Sequence, residues 1–267
     1  MDPTPDFRAA HESWRQERMA KLSAGNGWLN LLGRWPVTPG NYAIGSDAAS
    51  DIRLPVGPER LGTLVIEPED RGRFHSESGA EILLDRAAGL TEWRVGRFLM
   101  EITALNDLRA LRIRDSEAPA RSHPPQIDFF PLDPALRITA IWEPLPALMD
   151  LTLDTIIGIP TRVPVTHVAR FEIAGHQMAM LPTYGTPERP QFVLRDLTSL
   201  DDSYAKARFI FGEEVTETSV VIDFNRAINP PCAFTDHAIC PLPPRENLIP
   251  ARIEAGERRL ARGQAGR

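Results

Sequence analysis

The chain has 267 residues, 42% hydrophobic and 25% charged with only 7% aromatic, a composition and length suited to one large globular domain or two smaller ones with a substantial core. Its formal net charge is −6 and the 30 basic residues form no long run, so the electrostatic footprint of a nucleic-acid-binding protein is missing. Two cysteines cannot supply a disulfide framework, and no stretch approaches eighteen uninterrupted apolar residues, which excludes a small stapled scaffold and a helical membrane span.

The first 27 residues read as one amphipathic helix. Phe7, Trp14, Met19 and Leu22 recur at helical spacing between Arg, Glu and Lys, and Gly25-Asn26-Gly27 stops the run. The segment lacks the apolar core of a secretory leader, so a soluble, cytoplasmic protein is expected. From Trp28 onward the pattern changes to short β-like runs separated by Pro, Gly, Asp and Asn. These are 61–66, 81–84, 93–102, 110–114, 136–142, 161–168, 169–173, 177–181, 191–195, 207–211 and 219–222. Within 136–142 apolar residues occupy the even positions, the period of a half-buried strand. Residues 171–173 and 177–181 flank Ala174-Gly175-His176, which predicts a hairpin with a three-residue loop.

So many strands with one helix predict a mainly β protein. Antiparallel sandwich or barrel-like sheets are expected, because parallel sheets need crossover helices that the sequence does not show. A seam is expected at 115–133, where Pro and polar residues break the strand rhythm, giving β-rich halves at 28–115 and 128–257 and a tail at 258–267.

Residues 221–257 are written unlike any ordinary strand or helix. Proline fixes φ and removes a backbone donor, so this stretch must run as an irregular, rigid track that wraps the preceding strands. Its run Asp223-Phe224-Asn225, then Asn229-Pro230-Pro231-Cys232-Ala233-Phe234, Cys240-Pro241-Leu242-Pro243-Pro244, Asn247 and Ala255-Gly256-Glu257 resembles the C-terminal signature of the bacterial and archaeal DUF1684 family, a domain family of unknown function. Gly27 to Gly33, Ile44-Gly45-Ser46, Arg112 to Asp115, Phe130-Pro131 and 138–140 also resemble the family pattern. So do Asp196, Tyr204, Arg208 and Phe209, with Ser203 standing where relatives carry Thr. The resemblance draws on both halves, which implies one functional unit but no reaction.

Three constellations carry possible chemistry. Asp223, Asn225 and Asn229 follow the apolar strand 220–222, where a rigid scaffold presents polar groups to a ligand; equally, such short side chains hydrogen-bond the backbone of a loop that lacks ladder partners. Arg114-Asp115 ends one strand, and Tyr204 with Arg208 lies near another. Two guanidinium forks suit a carboxylate or phosphate, while internal pairs of Arg114 with Asp223 or Arg208 with Asp196 would serve packing instead. Cys232 and His237, five residues apart, offer a nucleophile and a base, against a packed and inert thiol.

No HExxH, CxxC, Walker loop, GxGxxG or GxSxG is present, so neither a metal nor another cofactor is expected. Tyr42 to Ser46 followed by Ser50-Asp51-Ile52-Arg53-Leu54 is similar to the opening of forkhead-associated domains, but Ser46 stands where the phosphate-reading Arg belongs. The sequence therefore predicts a pocket for a small anionic organic molecule, with Arg114, Arg208, Asn225, Asn229 and Cys232 as ligand-binding residues. If it is an enzyme, Asp223 or Asp115 serves as base and Tyr204 as acid or oxyanion donor. A non-catalytic forkhead-associated-like module and a Cys232-dependent hydrolase are the alternatives. Nucleic acid and membrane are not expected as partners, and the sequence leaves the oligomeric state open.

Overall fold

The structure is a computed structural model that describes residues 2–261. The last six residues of the expected 258–267 tail lie outside them. The protein is mainly β; its described residues form one long helix, α1 (Pro5–Ser23), and three sheets, none closed into a barrel. Two compact units divide it: residues 20–124, and residues 1–19 with 125–267.

The unit of residues 20–124 holds nine strands: β1 (Leu31–Val37), β2 (Gly40–Gly45), β3 (Ile52–Arg53), β4 (Gly62–Ile66), β5 (Arg71–Ser76), β6 (Glu81–Asp85), β7 (Glu92–Val95), β8 (Phe98–Leu105) and β9 (Leu108–Asp115). They form two sheets, ordered β1-β9-β8-β7 and β3-β2-β4-β5-β6. Ile44, Leu64, Phe74, Met100, Leu111 and Ile113 alternate inward from these strands into one buried cluster, which removes their apolar surface from water. The run expected as one strand at 93–102 is a hairpin, β7 and β8, turned at Gly96, whose φ of 55° lies in the left-handed region. In the element similar to forkhead-associated domains, β2 and β3 run parallel, the Asp51 carboxylate accepts from the Ala43 amide at 2.8 Å, and the Ser46 hydroxyl donates to the Gly57 carbonyl.

The second unit is built on a seven-stranded antiparallel sheet. Its strands are β10 (Arg137–Leu153), β11 (Thr161–Ile173), β12 (His176–Met180), β13 (Tyr184–Thr186), β14 (Arg189–Leu194), β15 (Arg208–Glu213) and β16 (Ser219–Asp223), in the order β12-β11-β10-β16-β15-β14-β13. Two expected strands, 161–168 and 169–173, are the single strand β11. β10 is far longer than its expected span of 136–142, and the prolines explain why. β16 pairs with β10 only over 137–141, and β11 pairs over 141–144 and 149–153, so Pro144 and Pro146 sit in or beside a register break where few ladder donors are needed. The β11–β12 hairpin turns on two residues, Ala174 and Gly175, both with positive φ, and Ile173 pairs with His176. Trp142, Phe171, Phe192, Ile210, Ile222 and Phe224 centre this unit's core. Beyond β16 the chain forms short 3-10 turns and isolated bridges rather than strands.

Candidate functional site

A track joined to the strands only through isolated bridges leaves many polar backbone groups to be satisfied in other ways. Side chains of the signature contribute, some to the track and some to the segments beside it. Asn225, 1% exposed, copies a strand edge: its Oδ1 accepts from the Asp133 amide at 2.9 Å and its Nδ2 donates to the Asp133 carbonyl at 2.8 Å. Asn247, fully buried, accepts from the Leu181 amide at 2.8 Å and donates to the Leu181 and Val193 carbonyls at 2.9 and 2.8 Å, tying the ends of β12 and β14 to the track. Asp223 accepts from the Asn225 amide and side chain at 3.0 and 2.9 Å. Burial pushes the Asp223 carboxyl above the usual carboxylate range, against the pull of those bonds and of Arg226.

Arg208, 1% exposed, pairs with buried Asp196 and donates to the Ala255 and Ile253 carbonyls. Asp196 also accepts from the Thr198 amide and hydroxyl at 2.7 and 2.6 Å. Of the two internal pairs the sequence raised for these arginines, this one is formed. Asn229 is held through its amide, which donates to Glu257 at 2.6 Å, and its carbonyl, which accepts from Arg18 of α1 at 3.0 Å; Arg18 also pairs with Glu257 at 2.9 Å. Gly256, with φ of 80°, permits this closure: a Cβ there would stand 2.4 Å from the Ala227 carbonyl, which instead accepts from the Glu257 amide at 2.8 Å.

Inside residues 20–124, Arg114 donates to Glu101 at 2.9 Å and stacks over Trp28, so its partner is Glu101 rather than Asp223. Asp115, 1% exposed, pairs with Arg97 at 3.0 Å and accepts from the Glu117 amide. The sequence-predicted residues are thus distributed over several separate bonded clusters. Besides Asp223 with Asn225, Tyr204 and Cys232 meet directly: the Tyr204 hydroxyl donates to the Cys232 carbonyl at 3.0 Å.

Two places within residues 125–258 present groups that the fold does not consume. The first is a cleft of about 420 Å³ between the end of β10 and the track, lined by 151–154, Arg195, Leu242, Pro243, Pro244, Arg245, Glu246 and Leu248. The Leu242 amide donates to the Asp154 carbonyl at 2.7 Å and fixes the spacing of its walls. Arg195 and Arg245 are exposed, and neither guanidinium has an ion-pair partner among the described residues. Neither was singled out from sequence, although Arg195 adjoins Asp196 and Arg245 directly follows the Pro-Leu-Pro-Pro run.

The second is Cys232, partly exposed, whose amide donates to Sγ of buried Cys240 at 3.3 Å. A hydrogen bond from the Cys240 thiol, with help from Tyr204 and the charge of Lys206, lowers the Cys232 thiol to about 7. Burial and the neighbouring Cys232 hold the Tyr204 phenol well above its ordinary value, so it remains a hydrogen-bond donor. His237, the expected base, is exposed and its ring makes no bond among the described residues.

Comparisons with known proteins add a family and no activity. The family described as "Protein of unknown function (DUF1684)" matches residues 125–258, about half of the chain. No curated protein matches. Among solved structures, the chain is similar to the solution NMR structure of the uncharacterized protein from gene locus rrnAC0354 of Haloarcula marismortui, with 23% identity, a TM-score of 0.43, and coverage of 53% of this chain and 80% of that one. Among the described residues no helix is long and apolar enough to cross a membrane, and no group of His, Cys, Asp or Glu has the clustering of a metal site.

Proposed function

Because the chain belongs to the DUF1684 family of proteins of unknown function, we propose its role from its own geometry: it binds a small anionic organic molecule, and the cleft beside the Pro-Leu-Pro-Pro run is where it does so. The observation that carries this reading is the pair of unpaired guanidiniums, Arg195 and Arg245, lining one concavity of ligand size. Leu151, Leu242 and Pro243 offer an apolar wall for a carbon skeleton, while Asp154 and Glu246 discriminate against simple polyanions and favour a ligand that also carries hydroxyl or amino groups. The buried residues of the signature support this reading indirectly. By fixing the track, Asn247 and the Arg208–Asp196 pair hold the cleft wall in one position.

Calorimetric titration with succinate, citrate, a hydroxy amino acid and inorganic phosphate tests it. At least one is expected to bind saturably, and Arg195→Ala or Arg245→Ala should each weaken that binding by about 10-fold to 100-fold, the loss of one charge-assisted contact. Binding by none of them, or binding unchanged in the double variant, contradicts the proposal.

A further inference from the structure

The two cysteines of this chain lie together although eight residues separate them. Cys232 occupies a 3-10 turn, Pro231–Ala233, and Cys240 is anchored where its carbonyl accepts from the Ile156 amide at 3.0 Å, just before the bridge between Thr155 and Pro241. The intervening loop returns so closely that the Cys232 amide reaches Cys240 Sγ at 3.3 Å. Neither is joined in a disulfide. Their accessibilities differ: Cys232 is partly exposed and Cys240 is 2% exposed. Around Cys232 stand the Tyr204 hydroxyl, bonded to its carbonyl at 3.0 Å, and the positive Lys206. An accessible thiol with a stabilised anion beside a sheltered second thiol is the arrangement of an attacking and a resolving cysteine.

We propose that Cys232 and Cys240 form a reversible dithiol site that reduces hydroperoxides, with Cys232 as the attacking and Cys240 as the resolving residue. The Cys232 thiolate attacks the terminal oxygen of ROOH: an S–O bond forms, the O–O bond breaks, and the RO⁻ leaving group takes a proton from solvent to leave as ROH. Cys240 then attacks the sulfenic sulfur. An S–S bond forms, the S–O bond breaks, and hydroxide departs as water with the Cys240 proton. Two thiols are oxidised to one disulfide while one peroxide is reduced by two electrons, and a low-molecular-weight thiol restores the pair by exchange. The site stands independently of the anion cleft, since neither step uses Arg195 or Arg245.

The test is intact-mass analysis of the full chain after one equivalent of hydrogen peroxide, with thiol counting and non-reducing electrophoresis. The expected product is a monomer lighter by about 2 Da, the two hydrogens of one S–S bond, with no free thiol, and dithiothreitol returns the original mass. With the Cys232 thiol at about 7, the reaction should run roughly tenfold slower at pH 6 than at pH 8, following the thiolate fraction. Cys240→Ala should stop at the sulfenic acid on Cys232, trapped by dimedone, and Cys232→Ser should leave the protein unreactive. Lys206→Ala, on an exposed side chain, tests the electrostatics without endangering the fold and should slow the reaction at pH 6 while sparing it at pH 8. Over-oxidation without loss of two hydrogens in the wild type, intermolecular linkage only, or equal reactivity of Cys232→Ser overturns the proposal.

Discussion

Residues 20–124 and the C-terminal track use charged and amide side chains in opposite ways. In the first region, pairs such as Arg109 with Asp70 at 2.6 Å and Arg73 with Glu67 at 2.7 Å join partly exposed groups across a scaffold whose backbone is already paired in strands. In the track and directly against it, Asn225 and Asn247, with Asp196 and Arg208 of the neighbouring elements, are at most 3% exposed and bond mainly to backbone. The difference teaches what a proline-rich ending demands. Where proline limits the ladder to isolated bridges, buried side chains supply part of the remaining hydrogen bonding. Groups that remain available stand at the rim, at Arg195, Arg245 and Cys232.

Breaking the track should cost most. Arg208→Ala leaves Asp196 as a buried, unpaired carboxylate and should destabilise the protein by about 3–5 kcal/mol in urea denaturation. Asn247→Ala strips three bonds from the ends of β12 and β14 and should cost about 2–3 kcal/mol, mostly the desolvation of the groups left behind. Either loss falling below about 0.5 kcal/mol would erase the contrast between the regions.

Much of the fold was legible because burial imposes a period of two. Strands β4, β6, β9, β14, β15 and β16 follow the apolar runs closely, and α1 follows its helical spacing. β10 was truncated because Glu143-Pro144-Leu145-Pro146 reads locally as an ending, and only the register break shows why the strand passes through it. The site was less legible for a related reason. Asn225 and Asn247 look alike whether they face a ligand or a carbonyl, since the chemistry of an amide is the same toward both. Burial decides, and burial at a loop is a tertiary property. Arg195 and Arg245 left no trace because an exposed arginine is ordinary until a cleft is seen between two of them.

Smaller effects sharpen the contrast through pH. His11 stacks on Trp14, and burial, with the charges of Arg15 and Arg226, lowers it to about 4. Since the unfolded chain binds this proton more readily, its contribution of about 2 kcal/mol, after screening by partial exposure, is present above pH 6.5 and lost as pH falls toward 4; His11→Phe should flatten that slope. Asp223 has the opposite sign. Its raised carboxyl favours folding below the usual carboxylate value and that contribution is lost as pH rises through its folded one, so Asp223→Asn should remove the loss while keeping an acceptor for the Asn225 amide. Arg109→Ala, at the partly exposed pair, should cost about 1 kcal/mol or less at neutral pH.

Native-state hydrogen exchange of the Leu181 and Asp133 amides tests the central claim most directly, because each donates to a signature asparagine rather than to a strand. Both should exchange as slowly as amides in the middle of β16, and Asn247→Ala should release Leu181 selectively. Rapid exchange at these amides in the wild-type protein, or protection at Leu181 that survives Asn247→Ala, would contradict the account.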